Sequence, residues 1–537
     1  MEMDTKKSVS TDSIWSSFQY PVFRTLWITS LISNIGTWMH EVSAAWLMTM
    51  LTTQPILVAM VQATSAFSVC LLAIPAGALA DILDRRRYLM VLQSWMMVIA
   101  ASLAIISFMG KITPTILLAL TFCLSAGTAL NAPTWQAIVS ELVPPHQLVG
   151  AITLNSMGVN FSRTIGPAIA GVIIATLGPA AVFAINAASF LGIIITLKQW
   201  KREQPITTLP AERFFGAMRA GIRYVKGSPV LIKVLVKAGA IFLFTSSIWS
   251  LLPLIVRNLL HKGPTGYGIL LAMIGLGAVF GAFTMQKMRH KLGLDKLILA
   301  GTAVFAVTML TIPLVKDFYY TCFAMFFIGI AWISVLSTLN AVVQQSAPPW
   351  VRARAISVYL MIFFGGMALG GLLWGIVTAH FNITVAFVTA SLGLVVANLM
   401  TLRWTLEDNI VYDHTPSMDL PAPSVEKELS HDEGPVMVTV EYQVAPENVS
   451  KFLEEIQKLR LTRLREGSFF WSIFNDIENP KKYVECFMVE SWLEHLRFHE
   501  RVSIADRKIQ MAVNAYHEGT PKPKATHYVA REYTART

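Results

Sequence analysis

The chain has 537 residues, of which 54% are hydrophobic and only 14% charged, and its mean hydropathy is +0.54. That composition excludes a soluble globular protein, which at this length needs far more charged surface. The net charge of +10 follows from an uneven placement of Lys and Arg around apolar runs, so nucleic acid is not needed as a partner.

Residues 1–22 read as a cytoplasmic tail. No cleavable signal is evident, because Lys6, Lys7 and Arg24 precede an apolar run too long for a signal core. Twelve runs are long enough to cross roughly 30 Å of hydrocarbon, at 23–50, 55–80, 88–109, 114–139, 150–177, 180–198, 231–256, 265–288, 295–315, 318–343, 352–378 and 382–404. They form a six-helix N-half, 23–198, and a six-helix C-half, 231–404. With the N-terminus inside, the inner loops hold eighteen Lys and Arg and the outer loops four. Both termini are therefore expected in the cytoplasm. The connector, 199–230, carries Phe214, Phe215, Met218, Ile222 and Val225 at helical spacing. It reads either as an amphipathic helix on the cytoplasmic lipid surface or as a solvated linker. Cys70, Cys123 and Cys322 lie in apolar spans and Cys486 near the C-terminus, a pattern with no disulfide framework or cysteine metal site.

The two halves repeat. An ungapped offset of 204 residues pairs Gly77-Ala78 with Gly281-Ala282, Arg85 with Arg289, Pro144-Pro145 with Pro348-Pro349, Gly166 with Gly370, and Gly171 with Gly375. Parallel halves of this kind form a single central site in secondary transporters.

After the second span the chain reads Gly77-x-Leu79-x-Asp81-x-x-Asp84-Arg85-Arg86-Arg87. Glycine permits close helix approach, Asp81 can reach Arg85 one turn on, and the arginines hold the loop at an anionic surface. This stretch resembles the signature loop of the major facilitator superfamily. The resemblance implies an all-α membrane fold of twelve helices in two pseudo-repeated halves, with Gly77, Asp81, Arg85 and Arg86 forming a conformational latch. Asp84 stands where the family pattern has Gly, and the second copy has Met285 in place of Asp81. In the fifth span, Gly166, Pro167 and Gly171 resemble a packing motif of drug-proton antiporters. Asn155, Asn160 and Arg163, with Asn34 and Trp38 of the first span, resemble the branch of enterobactin-type siderophore exporters and macrolide efflux proteins. That resemblance covers about residues 15–405.

Charge at membrane depth costs about 2.5–3.5 kcal/mol on insertion scales, so Glu41 and Arg163 stand out. Three alternatives stand for the two: an interaction that couples a proton to cavity opening, a static pair that fixes helix packing, or no contact at all. Asn34, Trp38, Asn155 and Asn160 are the cavity candidates, and Trp46, Phe67, Trp135, Phe244, Trp249, Trp332 and Phe364 offer further aromatic surface.

Residues 405–434 read as a flexible, proline-containing linker. Beyond them, 435–537 follow the order β-α-β-β-α-β of a small α+β ferredoxin-like domain, with a helix running from Trp492 to about Tyr516. Residues 435–519 resemble antibiotic-biosynthesis-monooxygenase-like proteins through the stretch containing Trp492, His495 and His499. The two histidines share a helix face, but no Cys or carboxylate completes a metal set. Core packing or dimer contact is the expectation for them, with no metal and no cofactor. Because both helices lie on one side of the sheet, the other face is expected to pair two copies. The expected protein is a proton-coupled exporter of a small amphipathic molecule, a drug, siderophore or secondary metabolite, in the bacterial cytoplasmic membrane. Its expected partners are lipid, substrate, protons and a second copy. The competing readings are a fused oxidoreductase-like enzyme and a regulatory dimerisation domain.

Overall fold

The computed structural model describes residues 14–200, 214–406, 430, 433–519 and 523–530. The helices are α1 (Pro21–Leu51), α2 (Pro55–Ile82), α3 (Arg85–Phe108), α4 (Pro114–Leu142), α5 (Leu148–Leu177), α6 (Pro179–Gln199), α7 (Phe214–Lys226), α8 (Pro229–Leu254), α9 (Pro264–Leu292), α10 (Leu294–Val315), α11 (Phe318–Ser346), α12 (Pro349–His380) and α13 (Ile383–Thr401). A single π turn, Ile255–Leu259, extends α8.

Helix starts follow local chemistry. Proline, whose missing N–H is an orphan there in any case, opens α1, α2, α4, α6 and α9. Asp84 caps α3 by accepting from the Arg87 N–H at 2.9 Å. Its φ of −60° shows why the glycine of the family pattern is dispensable, since the turn needs no left-handed residue. Gly178 (φ +82°) and Gly293 (φ +74°) make the sharp reversals between α5 and α6 and between α9 and α10.

Among the described residues, eleven helices, α2–α6 and α8–α13, are long and apolar enough to cross a membrane. Large apolar side chains such as Val91, Phe108 and Phe283 stay exposed on them, as a lipid-facing surface requires. The remaining run of the twelve expected is α1, 31 residues long. Ser30, Ser33, Asn34, His40, Glu41 and Ser43 lower its hydropathy, and it packs against α5 and α6.

Two compact units emerge. The first comprises Met1–Ala211, Leu235–Leu339 and Tyr359–Leu406; the second comprises Glu212–Val234, Asn340–Val358 and Glu407–Thr537. The second unit holds β1 (Val436–Gln443), α14 (Val449–Glu466), β2 (Phe470–Asn475), β3 (Lys482–Val489), α15 (Trp492–Arg501), α16 (Ile504–Asn514) and β4 (Lys524–Val529). The sheet order is β2-β3-β1-β4, antiparallel throughout. Val436, Val438, Val440 and Tyr442 of β1 alternate into a core with Phe452, Ile456 and Leu459 of α14 and Phe487 of β3. The single helix expected from Trp492 is two. Ser503 accepts from the Asp506 N–H while Asp506 accepts from the Ser503 N–H, a capping box that restarts the chain as α16.

Candidate functional site

The membrane unit brings Glu41, Trp38 and Arg163 into one neighbourhood. The Arg163 guanidinium lies over the Trp38 ring, 5.2 Å from its centroid. Its Nε is buried without a hydrogen-bond partner. Glu41 keeps exposed surface although protein surrounds it, the environment of a group facing an internal cavity. Glu41 and Arg163 lie within each other's electrostatic field but form no contact ion pair among the described residues. Tyr267 of α9, buried and stacked on Trp46 at 6.2 Å, shares the Glu41 field. The sequence reading missed Tyr267, because nothing in the spacing links α9 to α1.

The other cavity candidates are half-buried. Asn155 Oδ1 accepts from Trp135 Nε1 at 3.4 Å, and Asn160 donates back to its own helix at Ser156 O, 2.9 Å away. Asn34 is half-buried on the same helix as Trp38. The wider aromatic set divides. Trp249 and Trp332 lie with ring centroids 4.2 Å apart and planes tilted by 45° and pack with Phe242, Phe305 and Phe363, so they build the interior of the C-half.

At the Gly77–Arg87 stretch, Gly77 lies near the end of α2, and the Asp81 side chain falls outside the described residues. Arg85 Nη1 donates to Glu141 Oε1 at 2.7 Å, tying the start of α3 to the end of α4. Arg86 donates to the carbonyls of Leu197 (2.7 Å) and Lys198 (2.8 Å). A cation there caps the C-terminal end of α6 and complements its dipole. Glu141 was not singled out in the sequence, where it is one acidic residue ahead of Pro144-Pro145.

The repeated glycines do matching work in the two halves. A Cβ on Gly166 would meet Trp38 Cβ at 2.7 Å, and one on Gly370 would meet Leu243 O at 2.1 Å. Each glycine thus lets the fifth span of its half approach the first span of that half. A Cβ on Gly171 would meet Pro264 O at 2.8 Å, and one on Gly375 would meet Ala59 Cβ at 2.8 Å. Those contacts join opposite halves, α5 to α9 and α12 to α2. Pro167 takes part, since its carbonyl lies 2.4 Å from where a Gly268 Cβ would sit. The cross-half contacts lie at the ends of α5, α9, α12 and α2 remote from the Arg85 loop.

In the second unit, Trp492 is buried with its ring 5.3 Å from that of His495. His495 and His499 are joined by His527 of β4, giving three imidazoles in one group. The third donor is a histidine, outside the Cys and carboxylate types considered from the sequence. His527 lies 28 residues from His499 on a different kind of element, so no sequence period points to it. Among the connector residues, Tyr224 and Val225 are covered by protein. Tyr224 donates to Ser346 O at 3.1 Å, and Arg219 pairs with Glu490 at 3.0 Å.

Two repeated halves of long apolar helices define a multi-pass membrane protein, and solved structures of transporters agree with it in fold. A bacterial homologue of the human lysosomal transporter Spinster, inward-facing and unoccupied, matches with a TM-score of 0.55 at 15% identity, covering 71% of this chain and 94% of that one. An auto-inhibited POT family peptide transporter matches with a TM-score of 0.59 at 12% identity, covering 72% and 98%. Residues 12–535 match the family described as transmembrane secretion effector, and the chain belongs to that family of major facilitator transporters. The match takes in the C-terminal sheet as well as the spans. Its relatives include the staphyloferrin A transporter of Staphylococcus aureus, 23% identical over 372 residues, which are 67% of this chain and 90% of the relative. The enterobactin exporter EntS of Salmonella typhimurium is 23% identical over 389 residues, 71% and 92% of the two chains.

Proposed function

We propose that this transporter exports a siderophore or similar amphipathic small molecule across the bacterial cytoplasmic membrane by proton-coupled alternating access. In this reading α1 is the twelfth span and both termini are cytoplasmic. The observation that carries it is Glu41, a carboxylate facing an enclosed space within the field of Arg163. Protonating Glu41 removes the charge that balances Arg163, and an uncompensated guanidinium in low dielectric costs several kcal/mol. The two protonation states therefore favour different exposures of the pair to water, which is the coupling a proton-driven cycle needs. Tyr267 carries the change to the C-half. The glycine contacts between α5 and α9 and between α12 and α2 close the outer side, and Arg85, Arg86 and Asp81 work the inner side as a latch. Relatives that move staphyloferrin A and enterobactin support the substrate class. Replacing Glu41 by Gln should preserve substrate binding, read by ligand-dependent tryptophan quenching, while concentrative transport is lost. Transport with an unchanged pH dependence in that variant contradicts the coupling role.

For the C-terminal unit the proposal is a ferredoxin-like, monooxygenase-like domain with a regulatory role. What favours regulation over a fused enzyme is its set of contacts to α7 and to the start of α12. Arg501 lies over the Trp350 ring at 4.2 Å, and Arg465 over Tyr224 at 5.5 Å. Arg501→Ala should change the transport rate at unchanged membrane abundance.

A further inference from the structure

His495 and His499 project from successive turns of α15, and both are buried or half-buried. His527 comes from β4, where its register places it in one row with Val438, Phe487 and Trp471. Val438 and Phe487 belong to the core beneath the helices, so His527 faces α15. The Nε2 atoms of His495 and His499 are 3.2 Å apart. The His495 and His527 ring centroids are 4.7 Å apart, and one ring nitrogen from each of the three residues lies within 4.8 Å of the others.

Hydrogen bonding alone does not account for the group. A bond between the two Nε2 atoms uses one proton and leaves Nδ1 of both His495 and His499 buried without a partner. It also gives His527 no role. Two nitrogens bound tetrahedrally at about 2.0–2.1 Å from a zinc ion lie about 3.3 Å apart, close to the observed Nε2 separation. The third nitrogen reaches the same geometry by moving in by about 1.5 Å. Burial, together with the neighbouring imidazoles and Arg463, pushes His495 down to about 3, and His499 falls to about 4 for the same reasons. Burial lowers His527 as well, so the neutral, metal-binding form is favoured for each of the three rings. The nearby Arg463 charge is already balanced, because its guanidinium is held by Glu485 with Nε to Oε1 at 3.0 Å.

We propose that His495, His499 and His527 form a binding site for a divalent transition metal in the C-terminal domain. Three imidazoles select zinc, cobalt, nickel or copper over magnesium and calcium. They leave a fourth position on the side where His499 and His527 retain exposed surface, which water or a small oxygen ligand would fill.

Titrating Co²⁺ into the untagged full-length chain in detergent tests this through the visible d–d bands of tetrahedral cobalt. The expected result is one tightly bound ion per chain, displaced by Zn²⁺. His499→Gln and His527→Gln should each weaken binding by at least about tenfold, the minimum seen for loss even of an outer-shell partner, while His380→Gln should not. X-ray absorption at the zinc edge of the loaded parent chain, which needs no variant, should show imidazole ligation. Absence of stoichiometric binding by the parent chain, binding unchanged in both variants, or a zinc shell without imidazole overturns the proposal.

Discussion

Arg85 and Glu141 form a half-buried charge-assisted hydrogen bond at 2.7 Å, in a geometry that breaking one partner should upset more than a surface pair would. Glu141→Gln is predicted to leave the amount of protein in the membrane near normal and to lower the transport rate several-fold, measured in the same vesicles. Equal rates would remove Glu141 from the latch. Asp81→Asn is expected to act in the same direction. A second residue-scale prediction concerns Glu466 at the end of α14. Burial pushes its carboxyl up to about 8, outweighing Arg465 and Arg501, while the Asp506 carboxylate adds to the rise. Arg465 is itself engaged by Asp506. A folded-state value above the unfolded one, about 4.5, means the native form holds the proton more tightly. Stability is then fully present below about 4.5 and declines as the pH rises toward 8. Thermal melts of the parent should show that slope, and Glu466→Gln should flatten it.

At the scale of elements, the glycine pairs make a sharp prediction. Gly370→Ala forces a methyl against the Leu243 carbonyl and Ser246 Oγ, each 2.1 Å from the added atom, so backbone must shift at a cost of about 1–3 kcal/mol or more. Gly158→Ala meets nothing nearer than Trp27 at 3.6 Å and should be tolerated. Melting temperatures in detergent that fall equally for both would contradict the packing account. The existence of these glycines was legible as a repeat at offset 204, and so were the apolar runs, because apolar length and proline punctuation are local signals. Which helix each glycine meets was not legible, since that depends on how two halves dock. The break between α15 and α16 was written in Ser503 and Asp506, but the apolar spacing across it masked the cap. Asp84 likewise showed as a departure from a pattern, and only its dihedral angles and its bond to the Arg87 N–H reveal it as a cap. His527, Glu141 and Tyr267 depend on tertiary contacts and leave no trace in spacing.

For the whole molecule, the sheet face opposite α14 carries Phe470, Phe474 and Tyr528, all exposed, along with Met437 and Met488 in register. An apolar face of that kind is expected to pair with a second copy. Light scattering of the full-length chain in detergent should give a dimer that Phe470→Ser with Phe474→Ser converts to a monomer; a monomeric parent chain contradicts pairing through this face. The central claim, proton-coupled export, is tested most directly by loading everted membrane vesicles with an acidic interior and measuring accumulation of radiolabelled siderophores of the catecholate and hydroxycarboxylate classes. The account predicts accumulation that requires the pH gradient, collapses with an uncoupler and is absent in Glu41→Gln. Accumulation that is the same with and without the gradient, or the same in vesicles lacking the protein, would contradict it.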